Sequence, residues 1–223
     1  MKSKLFYTGA YKGIEGKIKG FINKYPEFLS ENTAGSTRAI GDAIQNILEN
    51  NFEDIIGGFS KQYSAQFARR AMADLAFMGK DNFYYVVDVK THRMDTKFNM
   101  PNLTSVERLS RFYEDDKNYY VVSMVAYELI SETRIRVEEV YFIPIEFLSW
   151  DCLTIGALGW GQVQIANASK MVIKPEYSRK KWMLELCNFL FEFYPHEIEK
   201  IKGRIKYFKK VKQKWEQKAD IWA

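Results

Sequence analysis

Four segments, 72–78, 83–90, 119–127 and 134–142, are dense in Val, Ile, Tyr and Phe and are bounded by turn-forming residues. Runs of seven to nine residues are too short for buried helices and predict strands. Helical spacing surrounds them. After the start signal Gly35-Ser36-Thr37, the residues Ile40, Ala43, Ile44, Ile47 and Leu48 recur on one face, predicting an amphipathic helix over 38–52. Between the second and third strands, Leu103, Val106, Leu109 and Phe112 share a helical face over 103–113. A glycine-rich loop, 154–162, leads to a short alternating segment, 162–166, and a strand-like piece, 171–173. From 178 to 219 the chain reads as helical with a break near Pro195, Gly203 being an alternative breaker, so two helices are expected. Strands and helices that mix without regular alternation imply an α/β (α+β) fold, a mixed central sheet flanked by helices.

The chain has 223 residues, 47% of them apolar, which suits one domain with a real core. No linker divides it, so 1–223 is read as a single domain. It has a helical N-terminal part (about 1–55), a central part (about 56–150) and a C-terminal part (about 151–223). The longest apolar stretch, 119–130, contains Glu128 and is too short to span a bilayer, so no membrane partner is expected. The start MKSKLFYTGAYKGIEGK has two early lysines but no apolar run to follow them, so a cytoplasmic location is expected. Two cysteines without CxxC spacing and two histidines argue against a disulfide scaffold, structural zinc or a Ser-His triad. The net charge of +5 hides an asymmetry: residues 170–218 carry fourteen Lys/Arg against six Glu, or +8, leaving 5 − 8 = −3 elsewhere. Clustered basic charge is the footprint of a polyanion binder, though a solvated lysine-rich helix has the same composition.

The chemistry concentrates in 73–92, ADLAFMGKDNFYYVVDVKTH. Side chains alternate along a strand, so Asp88 and Lys90 share a face about 7 Å apart. Asp74 joins them if the turn is a three- or five-residue loop centred on Asp81; an even-membered loop would set it opposite Val87. Two carboxylates and the Val89 carbonyl form an oxygen donor set suited to Mg²⁺, and Lys90 could polarise a water or offset charge building on phosphorus. A lone Asp-x-Lys at a strand end is also what an exposed, inert strand terminus looks like.

The ordered arrangement of helix, Asp, hairpin, apolar strand, Asp88-Val89-Lys90, polar loop and helix resembles the PD-(D/E)xK nuclease core. Within that superfamily it is most similar to blunt-cutting type II restriction endonucleases of the EcoRV, HincII and SwaI kind. Three pieces carry the likeness over about 36–215: Ala73-Asp74 with Asp88-Val89-Lys90-Thr91; Met100-Pro101-Asn102-Leu103 with Ser105; and Gln162-Val163-Gln164-Ile165 followed by Tyr177-Ser178-Arg179-Lys180-Lys181-Trp182 and a long terminal helix. Ala73 stands where the motif's proline would be. The resemblance implies a restriction-endonuclease-like core and a type II restriction endonuclease that hydrolyses both strands of duplex DNA at a short palindrome. Asp74, Asp88 and Lys90 would be catalytic, with Asp74, Asp88 and Val89 on the metal. Mg²⁺ would be the cofactor, with Mn²⁺ substituting and Ca²⁺ binding without supporting cleavage. Blunt ends with 5′-phosphates, a homodimer, a prokaryotic host and a protective DNA methyltransferase follow from the same kinship. It also implies an acidic residue on the preceding helix; Asp42 fits the spacing, with Glu49 further along. Alternatives are a nuclease of this superfamily serving repair or mobile elements, or a non-catalytic basic DNA-binding module.

The same resemblance would place the loop 92–102 beside the scissile phosphate. His92, Asn99 and Asn102 are the candidates there, although Asn102 can equally be a helix N-cap. Gln162, Gln164 and Asn167 occupy the expected base-reading segment, where amides suit adenine, or else simply face water. Lys170, Lys174, Arg179, Lys180 and Lys181 are candidates for phosphate contacts.

Overall fold

The computed structural model describes residues 2–25, 29–30, 35–63 and 73–220. A helical turn, α1 (Lys4–Tyr7), and α2 (Tyr11–Lys24) precede α3 (Thr37–Ile56). Next come β1 (Ser60–Tyr63), β2 (Leu75–Gly79), β3 (Tyr84–Arg93), β4 (Asn102–Ser105), α4 (Val106–Phe112), β5 (Asn118–Ser131) and β6 (Arg134–Pro144). Strands β7 (Leu153–Gly156) and β8 (Gln162–Ile165) and the long α5 (Arg179–Glu216) complete the chain. Five strands form one sheet in the order β1-β2-β3-β5-β6, parallel only between β3 and β5; β4-β8-β7 form a second, antiparallel sheet. This is the expected mixed α/β architecture with a mixed central sheet flanked by helices.

The hairpin of β2 and β3 sets the register on which the site depends. Gly79 N donates to Phe83 O at 2.9 Å and Asn82 N to Gly79 O at 2.9 Å, enclosing a turn centred on Asp81. Asn82 takes φ 60°, the left-handed region that asparagine tolerates. Pairing then runs from Met78 opposite Tyr84 to Leu75 opposite Val87, and one more step sets Asp74 opposite Asp88.

Helix α3 begins at Ser36, whose side chain accepts from Ala39 N at 3.3 Å. It lays Ile40, Ile44, Leu48 and Phe52 into the core. A Cβ on Gly41 would sit 2.9 Å from Thr91 Oγ1, so the missing side chain is what lets α3 approach β3 beside the site. Helix α2 buries Ile14, Ile18 and Ile22 and covers the outer edge of β6 with polar side chains. Asn23 Nδ2 donates to Val137 O at 3.0 Å and its Oδ1 accepts from Val137 N at 2.8 Å. Glu15 Oε1 accepts from Phe142 N at 2.9 Å, and Lys19 Nζ donates to Glu138 O at 2.6 Å.

Three expectations need correction. Leu103 and Thr104 lie in β4, not in a helix: Asn102 pairs with Gln164 and Thr104 with Val163, so sheet pairing takes the first turn and α4 starts only at Val106. The piece 171–173 forms no strand, only an isolated bridge between Leu148 and Ile173. The C-terminal region is one helix of 38 residues, about 57 Å long, not two. Pro195 and Gly203 are both exposed, so water can serve the Phe191 carbonyl that Pro195 leaves without a donor. The start of α5 is anchored by Trp182, which is fully buried, packs its ring 4.8 Å from that of Trp150 and donates Nε1–H to Leu148 O at 2.9 Å. Met72, expected to open the first strand, lies outside the described residues.

Candidate active site

At the open end of the hairpin, β2 has stopped pairing while β3 continues for six residues beyond Val87. Val87 O still accepts from Asp74 N at 3.1 Å, and Val89 N donates to Asp74 Oδ2 at 2.7 Å. Amide and carbonyl of one strand residue point to the same side, so the Val89 carbonyl also faces the gap beside Asp74. Lys90 Nζ donates to Asp88 Oδ1 at 2.6 Å on one face of β3, as alternation requires. The structure therefore gathers Asp74, Asp88, the Val89 carbonyl and Lys90 at one corner of the sheet.

Asp88 is only 5% exposed, and its Oδ2 is buried without a well-formed hydrogen bond. Burial pushes its pKa up to about 7, against the pull of Lys90, and the Asp74 charge adds to the rise. The Tyr120 hydroxyl, itself buried without a well-formed partner, faces the same carboxylate and eases the rise slightly. Asp74 is also raised by burial, opposed by the Val89 amide and by Lys90. Two desolvated carboxylates, one of them with an orphaned oxygen, would gain from a cation. The donors suit a hard divalent metal: two carboxylates and a carbonyl, all oxygen. Among the described residues no group of three or more His, Cys, Asp or Glu side chains converges to hold one.

The helix carboxylate nearest this corner is Glu49, not Asp42. Gln45 Nε2 donates to Glu49 Oε1 at 2.9 Å and to Asp74 Oδ1 at 3.1 Å, and the Glu49 charge contributes to the raised pKa of Asp74. Asp42 is exposed. The Gln45 link was missed in the sequence, although its i, i+4 spacing from Glu49 was visible there.

The loop and strand candidates divide into surface groups and struts. His92 is buried, 5% exposed, with Nδ1 3.4 Å from Asn99 Nδ2 and Nε2 3.1 Å from Ser169 Oγ, so it ties two loops to β3 instead of meeting solvent. Asn99 donates to Thr91 O at 3.2 Å while its own carbonyl accepts from Ala168 N at 2.8 Å, which stitches the same loops together. Asn167 caps the turn that follows it by accepting from Ser169 N. Asn102 is no helix N-cap, since Ser105 takes that position. It is exposed, and its Oδ1 accepts from Gln164 Nε2 across the β4–β8 pair. Gln162 and Gln164 both alternate outward while Val163 and Ile165 are buried. Gly156 leaves the room that the Gln164 amide fills.

Among the basic candidates, Lys170, Lys180 and Lys181 are exposed. Lys174 pairs with Asp151 at 2.8 Å. Arg179 is a structural strut: it pairs with the fully buried Glu146 at 3.1 Å and lies 4.2 Å from the ring centres of both Tyr113 and Tyr119. Sequence spacing could not separate it from its lysine neighbours. Unforeseen in the sequence, Arg38 and Arg93 line a hollow of about 270 Å³ with Thr91 and Asn99, one residue beyond Lys90.

No protein-family model matches the chain, and no curated protein matches it in sequence.

Proposed function

We propose that this chain is a Mg²⁺-dependent endonuclease of duplex DNA, a type II restriction endonuclease cutting both strands at a short palindrome. The observation that carries the reading is the convergence of Asp74, Asp88 and the Val89 carbonyl at the end of the hairpin, with Lys90 Nζ 2.6 Å from Asp88. Asp74, Asp88 and Val89 would hold Mg²⁺, which when bound supplies Lewis-acid stabilisation of a phosphodiester's developing charge. Lys90 sits where an ammonium can orient a water or neutralise a phosphate oxygen, and Gln45 holds Asp74 in place from α3. Exposed Asn102 with half-buried Gln162 and Gln164 forms an amide face suited to base edges, and the exposed Lys170, Lys180 and Lys181, the last over the Tyr177 ring at 4.6 Å, can meet phosphates. Blunt 5′-phosphate ends, a partner methyltransferase and a twofold assembly belong to the same proposal.

The test is incubation of the purified protein with plasmid and Mg²⁺, followed by sequencing of the ends. Discrete ends that vanish in Asp88→Asn and Lys90→Ala support the reading. Cutting retained by either variant overturns the proposed centre. Cleavage confined to branched or damaged DNA would move the enzyme to repair or mobile-element work. DNA binding that persists in chelator, with no cutting under any divalent ion, would leave a binding module.

A further inference from the structure

Beyond its anchored first turns, α5 leaves the body of the protein: of its 38 residues only Trp182 and Leu186 are buried. Its exposed part is nevertheless patterned. Phe191, Tyr194, Ile198, Ile201, Ile205 and Phe208 follow one another at steps of three, four, three, four and three, and Lys212 and Trp215 continue the series. These are the a and d positions of a seven-residue repeat, with a mean step of 3.5 and not the 3.6 of a helix that lies against its own domain. From Phe191 to Phe208 the seam is exposed, ranging from 37% at Tyr194 to 72% at Phe191. Tyr194 touches the body through its hydroxyl, which donates to Trp160 O at 2.7 Å and fixes the direction in which the helix departs.

We propose that this seam is a homodimer interface, in which α5 pairs with α5 of a second copy as a two-stranded coiled coil. A heptad seam is self-complementary, because each knob finds on an identical helix the hole its own neighbours form. The area suffices. Burying about two-thirds of what the apolar seam exposes, Trp215 included, removes on the order of 600 Å² per chain, or about 1,200 Å² in the pair, the lower end of the range of specific interfaces. Flanking charges favour the antiparallel arrangement: there Glu197, at a g position and paired within its own helix with Lys200, meets Arg204 of the partner subunit, whereas parallel helices would set Arg204 at g against Lys209 of the partner subunit at e, a like-charged contact. Lys212, the one charged residue in the series, falls near the end of the helix, where its ammonium can reach water. This interface rests on the twofold assembly that the nuclease reading expects and gives it a surface; because the pairing needs neither DNA nor metal, a dimer that does not cut DNA, or a monomer that does, separates the two.

The full-length protein, without DNA or divalent ions, should sediment as a dimer of the 26.2 kDa chain at tens of micromolar. The double variant Ile201→Glu/Ile205→Glu, altering residues already half exposed, should sediment as a monomer. Its far-UV circular dichroism and melting of the core should be preserved. Lys206→Glu, off the seam, should remain dimeric. A monomeric wild type, or a dimer that survives the double substitution, overturns the proposal. A monomeric wild type whose helix instead binds anionic vesicles would assign the face to a lipid surface.

Discussion

The carboxylate proposed to bind metal should weaken the fold that carries it. Asp88 titrates near 3.8 in an unfolded chain and about 7 in the folded one, a shift that is already net of the attraction of Lys90. The folded state therefore holds a proton that the unfolded state releases between those values. Stability is intact below the unfolded pKa and falls as pH rises toward the folded pKa. At about 1.36 kcal/mol per pH step, the cost above pH 7 is on the order of 4 kcal/mol, a large share of a typical domain's total. Asp88→Asn keeps the shape and removes the charge. Urea unfolding in chelator from pH 4 to pH 8 should show wild type and variant nearly equal at pH 4. The variant should become more stable by up to about 4 kcal/mol at pH 7 and above. The difference reports Asp88 together with its coupling to Asp74 and Lys90, since the remaining titrating groups are common to both proteins. Added Mg²⁺ at pH 8 should then stabilise the wild type and leave the variant unmoved. A gap that fails to widen with pH, or a variant less stable at pH 8, would refute the electrostatic account of this corner.

Replacing Arg179 with Met should cost about 3 kcal/mol in urea unfolding, because it leaves the Glu146 carboxylate buried without its cation; a loss below about 1 kcal/mol would show that the tyrosine cage suffices. Gln164→Ala and Asn102→Ala should alter which sites are cut more than how fast the preferred one is cut, as read by sequencing fragment ends. Unchanged preference would remove this pair from base reading. Specific binding measured in Ca²⁺ should weaken steeply with salt, and Lys170→Ala with Lys180→Ala and Lys181→Ala should reduce the slope by about 3; a flat response contradicts phosphate contact.

The hairpin and the meeting of Asp74, Asp88 and Lys90 at its end were legible because they depend on local rules. Alternation set Asp88 beside Lys90, and the turn centred on Asp81 set Asp74 across from Asp88, so two local features fixed the corner. What escaped was decided by tertiary contact. Arg179, Lys180 and Lys181 are neighbours of like charge, yet only the first meets a buried carboxylate from a segment 33 residues away. His92, two residues past Lys90, reads as a candidate phosphate contact, but β3 runs on and the loop at Ser169 closes over it. Leu103 has helical spacing and still lies in a strand, because β8 offers its neighbours Asn102 and Thr104 pairing partners that periodicity cannot reveal. The single long helix went unseen because Pro195 and Gly203 signal breaks, costing about 3 and 1 kcal/mol in a helix interior, yet the helix runs through both.

The three side chains that α2 lays along β6 do more than pack. An eleven-residue strand at the margin of a sheet offers its unpaired amides and carbonyls to any other extended chain, and here Glu15, Lys19 and Asn23 occupy several of those sites. Growth of the sheet by strand addition is thereby obstructed on that side, so a local loosening of α2 would create a sticky template before the core itself had opened. The helix thus guards the protein against amyloid-like stacking of its own copies, a safeguard separate from whatever α2 adds to the folding free energy.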